Sequence, residues 1–401
     1  VNQPLPIYRL RAGETKVLLL AAVLVTAMCL RAPITAIAPL FEYIQSDLRL
    51  STTSIGLLTT LPLIAFAVAA PVSARLSLRY GARRCIFAAL LLLAISIVIR
   101  STGSAFALFA ATLLIGLAIA VANVLLPSII KREYPNNVGP VTAMYVLCMT
   151  AAAGIYSIFV VPLAQLSGWN WQSALLIAVV LPVAGAILWL PKLGGDGAGV
   201  QKAPAIRDTA IWKSAIAWAV TLYFGLNVFA HYAAIAWLPA ILKNSGHSLA
   251  QAGALHGWMQ FAAAIPGLAL MPLLHRLKDQ RLLAVLAPAL AAAGLVGLLV
   301  SPQWSLVWVL AIGIGLGASF VLGLAFIGLR SSSTEQAASL SGMTQGIGYL
   351  LAALAPISIA YLHTLAQSWT PPLMVLVFVC VAMGAFGLVA GRPNKPVDAA
   401  A

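Results

Sequence analysis

Arg31 sits inside a long apolar run, VLLLAAVLVTAMCLRAPITAIAPLF, that holds no other charge. A guanidinium carries five donors in a planar fork and stays protonated, so an arginine in such surroundings needs acceptors. The obvious relief is a carboxylate. The nine acids are Glu14, Glu42, Asp47, Glu133, Asp196, Asp208, Asp279, Glu335 and Asp398, and all fall in polar stretches or at the margins of apolar runs. Glu42 is the nearest in sequence, but a helix places it about 16 Å along the axis, beyond pairing reach. Arg31 is then satisfied by backbone carbonyls, hydroxyls and water, serves as a gate, or grips an anion that comes and goes. The flat fork matches a carboxylate-like or nitro-like group.

Two histidines, His231 and His256, also lie within apolar runs. With no acid beside them, they are the groups that could carry a coupling proton, since imidazole titrates in the useful range. The competing reading is a hydrogen-bonded histidine that never changes charge. Scattered polar residues complete the candidates for a lined path: Thr35, Thr59, Thr60, Asn123, Tyr145, Tyr223, Asn227, Gln260, Gln345 and Tyr349. Each could instead hold helices together. Trp258 could stack on a flat ring, whereas Trp169, Trp171, Trp237, Trp304 and Trp369 are placed as interface anchors. Gly313, Gly315 and Gly317 imitate a nucleotide fingerprint by spacing, but no strand precedes them, and they indicate close helix packing. Cys29, Cys85, Cys148 and Cys380 show no metal or disulfide spacing. No cofactor or metal site is expected.

These side chains must be positioned by membrane-spanning helices. The chain of 401 residues is 62% hydrophobic and 8% charged, against about 25% charged in soluble domains. Apolar stretches of spanning length recur near 17–40, 53–74, 85–101, 105–130, 139–163, 171–190, 213–239, 249–274, 282–300, 304–329, 338–364 and 372–391. The run after Arg9, Arg11 and Lys16 is too long for a cleaved leader and counts as the first span. Of 23 Lys and Arg residues, 19 fall at one set of span ends and 3 (Arg49, Arg100 and Lys243) at the other, with strict alternation. The positive-inside rule then puts both termini in the cytoplasm. It also accounts for the net charge of +14 without a nucleic-acid partner.

The predicted fold is all-α, with residues 1–190 as a six-helix bundle, 191–212 as a cytoplasmic linker and 213–401 as a second six-helix bundle. The halves echo each other: Pro39 and Pro239 fall in register, which sets His231 opposite Arg31, and LAQ recurs at 163–165 and 365–367. Repeats of this kind place a site at their interface near mid-membrane. The spans contain neither a carboxylate pair nor a His-x-x-x-His set, which argues against an enzyme, and no filter-like loop suggests a channel.

The loop ARLSLRYGARR at 74–84 resembles the signature loop of the major facilitator superfamily, Gly-x-x-x-Asp-Arg-x-Gly-Arg-Arg. Arg79, Gly81, Arg83 and Arg84 match, while Ala74 and Leu78 replace the family's Gly and Asp. The family's salt-bridge latch therefore lacks its first-half acid, and Asp279 in the second copy is the acid that could carry part of it. LRAPITAIAPL (30–40), GLLTTLPLIAFA (56–67), NVLLPSIIKREYP (123–135), WLPAIL (237–242), QAGALHG (251–257), KDQR (278–281), FIGLR (326–330) and LSGMTQGIGYLLAA (340–353) are similar to the superfamily's cyanate and 2-nitroimidazole transporter branch. The resemblance implies a monomeric secondary transporter of a bacterial-type inner membrane. It would move a small anionic or polar solute by alternating access, with the proton as candidate coupling ion. The expected substrate contacts are Arg31, Thr35, Thr59, Asn123, Tyr145, Tyr223, Asn227, His256, Gln260 and Gln345. The alternative is an exporter of neutral nitroheterocycles or drugs in which Arg31 is structural or gating.

Overall fold

A computed structural model describes residues 12–195, 209–274 and 277–393. Arg9, Arg11, most of the expected linker and the last residues, with Asp196, Asp208 and Asp398, lie outside the described residues. Span 1 is built from three short helices, α1 (Ala12–Cys29), α2 (Ala32–Thr35) and α3 (Phe41–Leu48). Spans 2 to 5 are α4 (Thr52–Tyr80), α5 (Ala82–Arg100), α6 (Ala105–Glu133) and α7 (Val138–Ala164). Span 6 is α8 (Trp171–Leu176) continued by α9 (Val180–Trp189). Spans 7 to 12 are α10 (Ala215–Asn244), α11 (Leu249–Leu274), α12 (Arg281–Val300), α13 (Ser305–Leu329), α14 (Thr334–Ala366) and α15 (Thr370–Ala390). Ten of the spans are long and apolar enough to cross a membrane. Helices α4 and α11, of 29 and 26 residues, supply the second span of each half. No strand occurs among the described residues.

The alternation of the helices gives the bundle a basic end, where α4, α6, α10 and α14 have their Lys- and Arg-rich margins, and an opposite end. In the first half α1 packs on α7 and α9, α4 on α6, and α5 on α6 and α9; in the second, α10 packs on α14 and α15, α11 on α13, and α12 on α13 and α15. Two helix pairs join the halves, α4 with α14 and α7 with α11. Spans 2 and 11, and 5 and 8, thus pair as a twofold relation between the halves requires. Backbones approach closely there. A Cβ on Gly257 would fall 2.6 Å from the Gly154 carbonyl oxygen, and one on Gly56 would meet Ala360, Ile357 and Pro356 at 3.0–3.1 Å. Small residues at crossings are how membrane helices pack without a hydrophobic driving force.

Span 1 departs from the expected single helix over 17–40. Pro33 has no N–H to give the Cys29 carbonyl, and its ring crowds that turn. The helix stops at Cys29, Leu30 and Arg31 form a turn, and Arg31 takes φ −123°, ψ −40° as the residue before α2. A second turn follows at Ala36–Ile37, and Pro39 opens a single 3₁₀ turn, Ala38–Leu40. Its counterpart, span 7, is one helix of 30 residues that carries Pro239 within it.

The tryptophans divide. Trp169 and Trp304 are exposed as interface anchors require, but Trp171, Trp237 and Trp369 are buried. Trp171 Nε1 donates to Asp47 Oδ2 at 2.8 Å, and Trp237 Nε1 donates to the Pro356 carbonyl at 2.8 Å. A buried indole N–H needs such an acceptor, and these acceptors lie on other helices, α3 and α14, that a periodicity argument cannot bring together. Among the described residues no disulfide joins Cys29, Cys85, Cys148 or Cys380.

Candidate functional site

A cavity of about 1370 Å³ lies between the halves. Its walls come from the break in span 1 and from α4, α6, α7, α10, α11, α13 and α14. It extends toward the basic end, where Ile211, Trp212 and Ser339 line it.

Among the described residues that line the cavity, Arg31 is the one charged side chain. The broken helix aims it there: its own carbonyl receives the Ile34 and Thr35 N–H groups at 3.0 Å and the Thr35 hydroxyl at 3.1 Å, which ties α2 to the turn. Among the described residues no hydrogen bond or ion pair reaches the guanidinium. Glu42 is engaged elsewhere, in an ion pair with Lys243 that crosses from span 1 to span 7 at the opposite end.

Aromatic hydroxyls share the cavity with the cation. Tyr145, Tyr232 and Tyr349 line the cavity within electrostatic range of Arg31. The Tyr145 hydroxyl donates to Asn123 Oδ1 at 3.1 Å, which spans α7 to α6 and fixes both groups. Tyr349 stands edge-on to Phe66 and to Phe224, each 6.3 Å between ring centres, and Phe66 and Phe320 add apolar wall. Gln345 Nε2 donates to Ser341 Oγ at 2.7 Å on the same wall. The arrangement offers one fixed positive charge, several hydroxyls and flat apolar faces: a receptor for a compact solute with a delocalised anionic or nitro group.

Of the residues singled out from sequence, Arg31, Thr35, Asn123, Tyr145, Gln345 and Tyr349 line the cavity, and Thr59, Thr60, Tyr223, Asn227, His231, His256, Gln260 and Trp258 do not. Thr59 Oγ1 bonds to its own helix at Gly56, while Thr60 Oγ1 donates across to the Ala353 carbonyl at 2.9 Å. On span 7, Tyr223 packs edge-on to Phe326 and Asn227 Nδ2 donates to the Leu316 carbonyl, so that stripe faces α13. The next face of the same helix presents Tyr232 to the cavity. Sequence reasoning missed Tyr232, because a polar residue on an apolar span signals that it turns inward and not toward which neighbour. Trp258 is exposed.

His256 and Gln260 lie in the seam between α7 and α11. The Ser157 hydroxyl is 3.2 Å from the Gly253 carbonyl and 2.7 Å from His256 Nδ1, and Gln260 Nε2 is 3.5 Å from His256 Nε2. One consistent proton assignment runs Ser157 to Gly253, His256 Nδ1–H to Ser157 and Gln260 to His256 Nε2, which keeps the imidazole neutral. His231 is buried, with Nε2 unpartnered, and lies in electrostatic range of both Arg31 and His256.

At the opposite end the halves are sealed. Phe41 lies 5.8 Å from Trp237, Trp237 5.6 Å from Trp369, and His363 stacks on Trp369 at 4.0 Å. At the basic end each half is clamped separately. In the first, Arg83 Nη2 donates to Glu133 Oε1 at 2.9 Å and Nη1 to the Lys192 carbonyl at 3.3 Å, and Arg84 Nε donates to the Leu193 carbonyl. Gly81 holds φ 87° between α4 and α5, a backbone that favours glycine. Arg79 lies over the Tyr80 ring. In the second half, Arg330 Nε donates to the Ala390 carbonyl at 2.6 Å and Nη2 to Gln280 Oε1 at 2.7 Å. Asp279 is bound by Arg281, its near neighbour. Those hydrogen bonds hold its carboxyl below the usual carboxylate range.

Residues 23–356 match the family model described as Major Facilitator Superfamily. The chain is 46% identical over 385 residues to the 2-nitroimidazole transporter of Escherichia coli (strain K12), covering 96% of this chain and 98% of that one. It is 28% identical over 341 residues to the cyanate transport protein CynX of the same organism, covering 84% and 88%. In three dimensions it is similar to a bacterial homolog of the human lysosomal transporter Spinster, in an inward-facing and occupied conformation. That likeness has a TM-score of 0.74 at 17% identity and covers 94% of this chain and 96% of that one.

Proposed function

Because the chain belongs to the major facilitator superfamily, and so is an integral membrane transporter of small solutes and not an enzyme, we propose that its cargo is a compact anionic or nitro-bearing solute gripped by Arg31. The observation that carries this reading is the unpartnered guanidinium facing a cavity that no carboxylate lines among the described residues. A cation held this way at mid-depth costs at least about 2.5–3.5 kcal/mol on insertion scales. An arriving carboxylate, cyanate or nitro group offsets that cost. The relatives named for 2-nitroimidazole and for cyanate both fit the same description.

The transporter works by alternating access in a bacterial inner membrane. Its basic end is cytoplasmic by the positive-inside rule, so this conformation opens inward and the aromatic seal closes it outward. His256, in the seam where the halves must part, and His231 are the proton-coupling candidates, since the acids of the described spans stand at the span ends and none lines the cavity. A second reading, export of neutral nitroheterocycles, is favoured by one observation, the ring of Tyr145, Tyr232, Tyr349, Phe66 and Phe320. Such a surface takes a flat ring whether or not it is charged.

Proteoliposome flux separates the two. With 2-nitroimidazole, cyanate and benzoate as labelled solutes, Arg31→Gln abolishes saturable movement of the anions, and Arg31→Lys restores part of it because charge survives but the fork does not. Anion movement unchanged in Arg31→Gln overturns the anchor. Nitroimidazole movement that survives while anion movement is lost selects the second reading. An imposed pH gradient drives accumulation in the parent protein and not in His256→Gln; accumulation in both removes the histidine as coupling group.

A further inference from the structure

Arg100 closes α5 on a peripheral helix, where its place at a span end suggests a solvated charge. It is instead 1% exposed. Its Nη1 donates to the Pro33 carbonyl at 2.7 Å, while Nε and Nη2 are buried without partners. From this contact the geometry points to Arg100 as the positioning residue for Arg31: it holds the break in span 1 open at the angle that aims Arg31 into the cavity.

The argument starts from the backbone. Around the second turn the Ala36 N–H reaches the Ala32 carbonyl and the Leu40 N–H reaches the Ile37 carbonyl, whereas the Pro33 carbonyl receives the Arg100 guanidinium. A cation on a free carbonyl at the C-terminal side of a helical turn is favourable for both hydrogen bonding and dipole reasons. The clamped residue is two positions from Arg31 and one turn of α2 away from its carbonyl, to which Thr35 is tied. Arg31 has no hydrogen-bond or ion-pair partner among the described residues, so the backbone of the break is what sets its direction. A guanidinium with two buried nitrogens left without partners is a costly way to stabilise a protein. The cost makes sense where geometry at one carbonyl is what the residue supplies. This role rests on Arg31 being the anchor, but the clamp on Pro33 does not.

The test uses the full-length protein in detergent and four variants: Arg100→Met, Arg100→Lys, Arg31→Gln and the Arg31→Gln/Arg100→Met double. Binding of benzoate and of cyanate is followed by calorimetry. Arg100→Met weakens binding about tenfold or more, the worth of a charge-assisted hydrogen bond. Arg100→Lys, which still reaches a carbonyl with a charge, recovers most of it. In the Arg31→Gln background Arg100→Met changes nothing further, because the residue acts through Arg31. Equal weakening in both backgrounds overturns the inference, and so does melting that falls with affinity untouched. If Arg31→Gln alone leaves binding intact, the anchor reading has failed, and a second readout still judges the clamp. Ile34→Cys, which lines the cavity, is labelled by a soluble maleimide with Cys148→Ser as background. The labelling rate changes in Arg100→Met and not in Arg100→Lys if the elbow is set by this contact. A rate unchanged in both rejects it.

Discussion

Spans 1 and 7 hold the same place in the two halves, and only one of them is continuous. Span 1 is cut at Leu30–Arg31 and again at Ala36–Ile37, while span 7 runs unbroken from Ala215 to Asn244. Both carry a proline in register, Pro39 and Pro239, so that residue alone does not break a span. The difference is Pro33, which has no counterpart: Ala233 stands there. With the break comes a cation aimed into the cavity; without it comes His231, buried and outside the cavity lining. A broken helix frees backbone groups and re-aims a side chain, which is why discontinuous spans recur where transporters hold ligands. A continuous helix keeps its groups paired and serves as the fixed wall, here presenting Tyr232 and Ile235.

The sharpest way to break this contrast is to mend the broken span. Pro33→Ala restores an N–H for the Cys29 carbonyl and removes a helix breaker that costs about 3 kcal/mol in a helix interior. The protein stays folded and melts no lower, yet transport falls about a hundredfold because Arg31 is displaced by roughly an ångström or more. Pro239→Ala in the continuous span changes transport by about twofold at most. Equal losses from the two would mean that the break is incidental.

The clamps at the basic end extend the contrast. Arg83 binds a carboxylate, Glu133, on partly exposed ground, whereas Arg330 is buried and binds a carbonyl and an amide. Arg330→Ala leaves the Ala390 carbonyl and Gln280 side chain bare, which costs about 2 kcal/mol. Arg83→Ala costs about 1 kcal/mol, since water replaces part of what is lost. Thermal melts of the two variants should rank in that order. The reverse ranking would show that the first-half ion pair is the stronger fastening.

How much of this was legible beforehand differs by level. The spans and the basic and opposite ends could be read because burial in lipid demands long apolar runs, and Lys and Arg mark their margins. The break could have been suspected from Arg31-Ala32-Pro33, since proline ends a helix locally, but Pro127 and Pro162 sit inside continuous helices, and nothing local distinguishes the cases. Arg100 was invisible. A charge at a span end looks solvated, and its burial follows from a carbonyl 67 residues away. Azimuth was the other loss. Tyr223 and Asn227, four residues apart, do share a face, but the face points to α13. Only packing decides which neighbour a helix stripe meets.

Span 7 tests that last point on two tyrosines of one helix. Tyr232→Phe removes a cavity hydroxyl near Arg31 and raises KM about fivefold, the worth of one neutral hydrogen bond. Tyr223→Phe removes a hydroxyl from the face toward α13 and leaves KM unaltered. If Tyr223→Phe raised KM instead, the cavity wall in the working protein would lie one face further round the helix.

The smallest effect concerns what joins the two spans. Glu42 and Lys243 pair across the opposite end, but each side chain is nearly half exposed, 47% and 45%. A pair of that kind contributes less than about 1 kcal/mol and is screened by salt. Inside it lie the Phe41–Trp237 ring contact and the Thr60–Ala353 hydrogen bond, which cross between the halves and must open for the opposite end to part, while the Trp237–Trp369 and Trp237–Pro356 contacts brace Trp237 within its own half. Removing the ion pair should therefore shift the balance of states only slightly. Glu42→Gln raises maleimide labelling of a cysteine placed at Phe41 by about twofold to fivefold at low salt. In the same labelling, half-molar salt brings the parent protein to the variant's level. Trp237→Phe, which deletes the N–H and trims the ring, raises labelling further and is indifferent to salt. A large, salt-sensitive rise from Glu42→Gln would mean that the broken and continuous spans are held together by charge and not by the buried seal beneath it.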